Sequence, residues 1–107
     1  MKLLTQDIIK KLPPLFSQDG KEPEDIPIIA RFFTPDAQCT WWITEGTREG
    51  NDWCLFGLCD LGLGFPELGM VMLSELENLR GNMGLPVERD RYWQGSLRDA
   101  MRQAGMT

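Results

Sequence analysis

The chain of 107 residues contains no histidine. Histidine is the only side chain whose ordinary pKa puts its charge change near neutral pH, and it is the commonest metal ligand in proteins. Its absence excludes Ser-His and Cys-His nucleophile pairs and every zinc site built on imidazole. We weigh the function mainly between binding to another molecule and hydrolysis by a metal ion held on carboxylates.

Long apolar runs and paired cysteines are also missing. No run approaches the roughly 20 apolar residues that span a bilayer, and the charged positions within residues 1–12 do not fit a secretory signal. Cys39, Cys54 and Cys59 form no CxxC pair and lie among strand-like hydrophobic residues, where a free thiol behaves as a small buried side chain. A zinc site would need a fourth ligand from Asp or Glu. We expect reduced thiols, no metal or other cofactor, no membrane contact and a cytoplasmic protein.

Positive charge is scarce in the middle of the chain. The net charge is −5 and the pI is about 4.6. Between Asp36 and Leu79 one base, Arg48, stands against eight acids, a net charge of −7, whereas the segment from Arg80 onward carries +2. Because phosphate binding rests on lysine and arginine, we expect no direct nucleic-acid binding and favour a basic protein surface as the partner. The alternative is two solvated faces of a soluble protein.

The length predicts one domain over residues 1–107, with a single core. Three helices are predicted: a short N-terminal helix that begins at the cap Thr5, a helix that begins with a Ser74–Glu77 capping box, and a C-terminal helix over Ser96–Ala104.

Four strands are predicted from alternating and β-branched segments: Ile28–Phe33, Thr40–Glu45, Trp53–Leu61 and Gly69–Leu73. Gly46 is expected to end the second strand and open a charged turn. The third strand is apolar on both faces and is expected inside the sheet. The predicted architecture is α+β, an antiparallel meander of about four strands with the three helices on one side.

The first candidate site combines aromatic and acidic residues of the second and third strands. Adjacent Trp41 and Trp42 must point to opposite faces of the sheet. Either both are buried, or one is exposed beside carboxylates and forms a binding hot spot. A base-stacking platform would need basic residues that are scarce here. The candidate binding residues are Trp41, Trp42, Glu45, Glu49, Asp52 and Trp53.

The second candidate site is the charged run near the end of the chain. Glu88 and Asp90 are two residues apart, a spacing with which carboxylates hold Mg²⁺ or Mn²⁺ for phosphodiester cleavage, and Arg80 or Arg89 would stabilise the developing charge. The alternative is a solvated network of ion pairs.

Several segments carry a resemblance, and the two most specific are Arg80–Gly81 and Gly84–Asp90. The others are residues 1–5, 12–15, 32–36, 41–46 and 73–77. Over roughly Met1–Trp93 the chain resembles a small bacterial family known as a domain of unknown function, common on plasmids, integrative elements and phages; the tail Ser96–Thr107 departs from it. Some members are labelled single-stranded DNA endonucleases. The resemblance implies accessory cargo of mobile DNA, which commonly includes inhibitors of host restriction and CRISPR systems.

Two functions from different classes follow. The first is a non-enzymatic acidic protein that inhibits a host nucleic-acid-handling complex, of anti-CRISPR or anti-restriction type, by occupying its basic surface. The alternative is a metal-dependent single-stranded DNA endonuclease that acts through Glu88 and Asp90. A structural or regulatory subunit that works only in a complex is not separated from the first by sequence.

Overall fold

One antiparallel sheet organises residues 2–106, which the computed structural model describes; Met1 and Thr107, the ends of the predicted domain, lie outside the described residues. In chain order the elements are α1 (Gln6–Lys11), β1 (Ala30–Phe33), β2 (Thr40–Glu49), β3 (Asp52–Asp60), β4 (Glu67–Met72), α2 (Leu73–Asn78), β5 (Glu88–Asp90) and α3 (Leu97–Gln103), with a 3₁₀ turn at Pro23–Asp25. Among residues 2–106, none of the helices combines the length and the apolar character that crossing a bilayer requires.

The strand order is β4-β3-β2-β1-β5. Strands β1 to β4 form the predicted meander and β3 lies inside the sheet, which confirms the α+β prediction. The fifth strand was not predicted: Glu88–Asp90 pairs antiparallel with β1, with Arg31 opposite Asp90. Three residues are too few to show an alternating pattern, so only the pairing with β1 reveals this strand.

The prediction that Gly46 ends β2 is wrong. The strand continues to Glu49 through a bulge between Ile43 and Glu45, and the turn is the two-residue Gly50–Asn51, where Gly50 has a φ of +61°. Gly46 lies close to the core, because a Cβ there would lie 2.5 Å from a Leu12 methyl group and 2.7 Å from a Leu55 methyl group, and these side chains would have to shift.

Each face of the sheet has its own apolar cluster, and the prediction of helices on one side only is therefore wrong. The α2 face holds the cluster Leu3, Ala30, Phe32, Trp41, Ile43, Leu55, Leu76 and Val87. The α3 face holds Ile26, Trp42, Leu58, Leu97 and Ala100. Because neighbouring strand residues point to opposite faces, Trp41 and Trp42 each anchor one cluster.

Two of the three predicted helix starts are confirmed. The Thr5 hydroxyl accepts from Ile8 N, and Ser96 with Asp99 forms a capping box at α3. The Ser74–Glu77 box is wrong, because α2 begins at Leu73. There the Glu75 carboxylate accepts from Met72 N at 3.0 Å.

Candidate functional site

Two of the three tryptophans predicted for binding are buried. Trp41 and Trp42 expose 4% and 2% of their surfaces, so the arrangement with both buried is the one observed. Trp42 packs edge-to-face against Trp93, with 6.5 Å between ring centroids, and the Arg31 guanidinium lies 5.6 Å from its ring centre. Trp53 is half-buried against the α2-face cluster.

Glu45 belongs to the interior as well. It is 3% exposed, and the bulge, which pairs it with Phe56, turns its side chain to the α3 face. Its Oε2 accepts from Phe16 N at 2.5 Å and its Oε1 from the Thr44 hydroxyl at 3.1 Å. Phe16 has a φ of +70°, a backbone conformation that residues other than glycine rarely adopt, and the hydrogen bond to Glu45 holds it there.

Asp52 is engaged in capping α2 from a neighbouring strand. Its carboxylate accepts from Ser74 N at 3.1 Å and from the Ser74 hydroxyl at 2.5 Å, and also from Trp53 N. The Ser74 hydroxyl is the main reason that the pKa of Asp52 is lowered. Of the three predicted acids, Glu49 alone projects into solvent, at the end of the β2–β3 hairpin.

Three of the residues predicted for metal-dependent cleavage, Glu88, Arg89 and Asp90, form β5, and Arg80 lies after α2. Asp90 forms an ion pair with Arg31 at 2.7 Å and accepts from two backbone amides of the following turn. Arg89 donates to the Lys2 and Leu3 carbonyls, which fastens the N-terminal segment to β5.

The other two members of that set are Arg80 and Glu88. Arg80 donates to the Glu77 and Leu79 carbonyls at the end of α2, and Glu88 pairs in register with Phe33. Within residues 2–106 no group of three or more His, Cys, Asp or Glu side chains is arranged to hold a metal ion.

The stability of the fold is expected to decrease in acid because of Asp52 and Asp90. The backbone N–H of Tyr92 is the main cause of the lowered pKa of Asp90, as the Ser74 hydroxyl is for Asp52. An unperturbed aspartate has a pKa of about 3.9. Below about pH 5 the unfolded chain therefore binds more protons than the folded chain, and the stabilisation is lost as the pH falls through the folded pKa values. Urea unfolding at pH 6 and pH 3 measures this loss.

The Asp90→Asn variant supplies the control for this prediction. It is expected to be less stable than the native chain at pH 6 and to lose less between pH 6 and pH 3. An equal loss in both proteins would show that Asp90 does not contribute to the acid sensitivity.

An open apolar surface lies at the β4 side of the sheet, a site that sequence reasoning missed. A groove of about 770 Å³ runs between β4, the β3–β4 loop and α2 on the α2 face, and we call it the β4 groove. Its apolar walls include Trp41, Leu61, Phe65, Val71 and Leu79. A groove of this size with few polar groups is typical of binding sites.

Large apolar side chains continue around the β4 groove into solvent. Leu63 and Phe65, in the loop before β4, are 73% and 79% exposed, and Leu68 and Met70 project from the α3 face of β4 at about half exposure. Contiguous exposed apolar surface of this kind marks interaction sites in soluble proteins. The signal in the sequence was Leu61-Gly62-Leu63-Gly64-Phe65, where the glycines indicate a turn but the residues between them are not polar.

The rim of the β4 groove is acidic. Glu67 and Glu75 line it, and Glu77 is exposed on α2. No lysine or arginine occurs between Arg48 and Arg80. The apolar surface is therefore bordered by negative charge that no cation of the same segment neutralises.

The thiols are free, and two of them line the β4 groove. Cys39 and Cys59 are half-buried there, whereas Cys54 is buried on the other face of β3. Burial raises the pKa of Cys59 to about 11 and is the main cause of the raised pKa of Cys54. The thiols of Cys54 and Cys59 are therefore poor nucleophiles at neutral pH, because the thiolate is the reactive form.

A comparison with known protein families finds a match over most of the chain. The model of the family described as "protein of unknown function (DUF2958)" matches residues 3–102. The match extends beyond Trp93 through most of α3, so the expectation that the tail departs from the family is wrong for Ser96–Arg102. No curated protein and no solved structure matches the chain.

Proposed function

The chain belongs to the DUF2958 family of proteins of unknown function, and on that premise we propose that it is a non-enzymatic binding protein that occupies a basic surface of a nucleic-acid-handling defence complex. The β4 groove and its rim are the binding surface. By holding that basic surface, the protein excludes nucleic acid from it and inhibits the complex, in the manner of an anti-CRISPR or anti-restriction protein.

The observation that carries this proposal is the coincidence of exposed apolar side chains with unneutralised acids around the β4 groove. The apolar part supplies affinity, because burying it removes surface from water. The acids supply the choice of partner, since carboxylates repel phosphates and attract lysine and arginine. Surfaces that bind nucleic acid are rich in those two residues, and mobile DNA is the setting that the family resemblance implies.

The charges of the predicted acidic segment are divided between two roles. Glu45 and Asp52 serve the fold, so reversing them would test folding rather than binding. Glu67 and Glu77 are exposed, and no hydrogen bond or ion pair of either side chain is found within residues 2–106. These two acids are the ones to change.

The double variant Glu67→Lys with Glu77→Lys is expected to fold and to lose inhibition. The test expresses the protein in bacteria that carry defined restriction or CRISPR systems and measures the plating efficiency of a sensitive phage. With at least one system the native protein is expected to raise plating at least about tenfold, and the variant to leave it near the baseline. Retention of that purified defence complex on the immobilised protein is expected to fall in parallel, by at least about tenfold in Kd, or about 1.4 kcal/mol.

A matched control has the same charge change elsewhere. Asp19→Lys with Glu22→Lys alters two exposed acids of the loop before β1 and is expected to keep full inhibition. An equal loss of inhibition in both double variants would mean that the net charge of the protein, and not the rim of the β4 groove, determines inhibition. No gain in plating with any system would contradict the proposed function.

A further inference from the structure

We propose that the partner is held by β-strand addition: an extended segment in which basic and apolar residues alternate lies against the free edge of β4 as an additional strand of the sheet. This inference rests on the proposed function and specifies how the basic partner is recognised. It assigns to β4 a binding role that its position in the fold does not require.

The first step in the argument is that the β4 edge is open. β4 is the terminal strand of the sheet, and within residues 2–106 it pairs with β3 alone. An edge strand presents a row of backbone N–H and C=O groups that another chain can pair with. The adjoining helix α2 continues directly from β4 and packs over the α2 face.

The second step is that β4 lacks the devices that usually protect an edge. Its register with β3 runs without a bulge from Glu67 opposite Cys59 to Met72 opposite Cys54. It contains no lysine and no proline, and Glu67 at its start is its one charged residue. Natural edge strands are commonly blunted by such residues, by bulges or by shortness, and β4 has six residues. A regular, apolar edge of this length is suited to accept a strand.

The third step is that the two faces of β4 ask for different side chains in an added strand. On the α3 face the neighbours are Leu68 and Met70, both about half exposed, so side chains pointing that way are apolar. The side chains of the added strand that point to the α2 face lie over the β4 groove, which has Glu67 and Glu75 at its rim. Lysine and arginine fit there, because their alkyl stems cover apolar surface while their charged ends reach the carboxylates.

The fourth step is that the preference for apolar side chains on one face and basic side chains on the other matches the two-residue period of a strand. Successive side chains of a strand point to opposite faces, so a segment that alternates basic and apolar residues meets both demands at every position. Gly69 leaves room at the middle of β4, because a Cβ built there would have no neighbour within 4 Å. Charge, apolar contact and backbone pairing therefore point to the same occupant.

The experiment uses a fluorescent ten-residue peptide of alternating lysine and valine, and follows its anisotropy with the full-length protein at 0.15 M salt. It is expected to bind at least about tenfold more tightly than a peptide of the same composition in two blocks, or one of alternating glutamate and valine. Two further peptides carry N-methyl groups, on all lysines or on all valines. Because the N–H groups of alternate residues point to the same edge of a strand, one of these is expected to lose binding at least about tenfold and the other to retain it.

The outcomes separate this inference from the proposed function. Tight binding that neither N-methylated peptide weakens would overturn strand addition, while the phage assay would still support a basic partner. Loss of peptide binding together with failure of the phage assay would overturn both. A concentration-dependent dimer that the peptide dissociates would overturn the inference by showing that a second copy of this chain covers the β4 edge.

Discussion

Replacing Gly57 with alanine is expected to destabilise the protein by about 3 kcal/mol, the upper part of the usual range for overpacking. Gly57 lies in the centre of β3, opposite Ile43 of β2. A Cβ built there would lie 1.9 Å from the Trp42 carbonyl oxygen and 2.8 Å from the Ile43 Cα. Both are backbone atoms next to the bulge, so neither moves aside without breaking the pairing of β2 with β3. Urea unfolding followed by tryptophan fluorescence measures the change.

The control for Gly57 is the glycine beside it on β4. Gly69 is paired with Gly57 in register, and a Cβ there meets nothing within 4 Å. Gly69→Ala is therefore expected to be neutral or slightly stabilising, because alanine restricts the unfolded chain more than glycine does. Similar stabilities for the two variants would mean that the close approach of β2 to β3 is wrong.

Replacing Glu45 with alanine is expected to cost about 2 kcal/mol, within the range for leaving a buried hydrogen-bonding group unpaired. The change removes the acceptor for Phe16 N and for the Thr44 hydroxyl, and it releases a residue held at a φ of +70°. Denaturation in urea at pH 7 gives the free energy of unfolding.

Glu49 provides the comparison within the same strand. It is exposed at the hairpin end of β2, so Glu49→Ala is expected to change the free energy of unfolding by less than about 0.5 kcal/mol. If both alanine variants were equally stable, Glu45 would be a surface acid and the distinction between structural and surface acids would fail.

This pair of glutamates shows where sequence reasoning stops. Both follow Ile43 in an alternating strand, and both were predicted as surface acids. The bulge turns the Glu45 side chain to the face opposite Ile43, where it meets the backbone of Phe16, and a bulge adds one residue to a strand without a local signal. The predicted Ser74–Glu77 cap of α2 is wrong for a similar reason, because the Ser74 N–H is bound by Asp52, which lies 22 positions away in the sequence.

Other parts of the fold were readable because they depend on local rules. The period of two in β2 placed Trp41 and Trp42 on opposite faces, and Thr5 marked the start of α1. The strand pattern also indicated the meander and the interior position of β3. That both tryptophans are buried depends on α3 covering the second face, which is a long-range contact and has no local pattern.

The candidate surface was hidden by a rule that usually holds. Gly62, Gly64 and Pro66 are typical of a turn, and turns are expected to be polar and solvated. Here the residues between them are Leu63 and Phe65, which the loop displays in solvent beside β4. Apolar residues inside a predicted turn were the available indication of a binding surface.

The most direct test of the account is amide hydrogen exchange of the protein with and without the alternating lysine–valine peptide. If the β4 edge is the docking site, added protection is expected at alternate amides of Glu67–Met72, with little change in β1 and β5 at the other side of the sheet. Protection that appears at β5, or none at β4 when the peptide is bound, would contradict it.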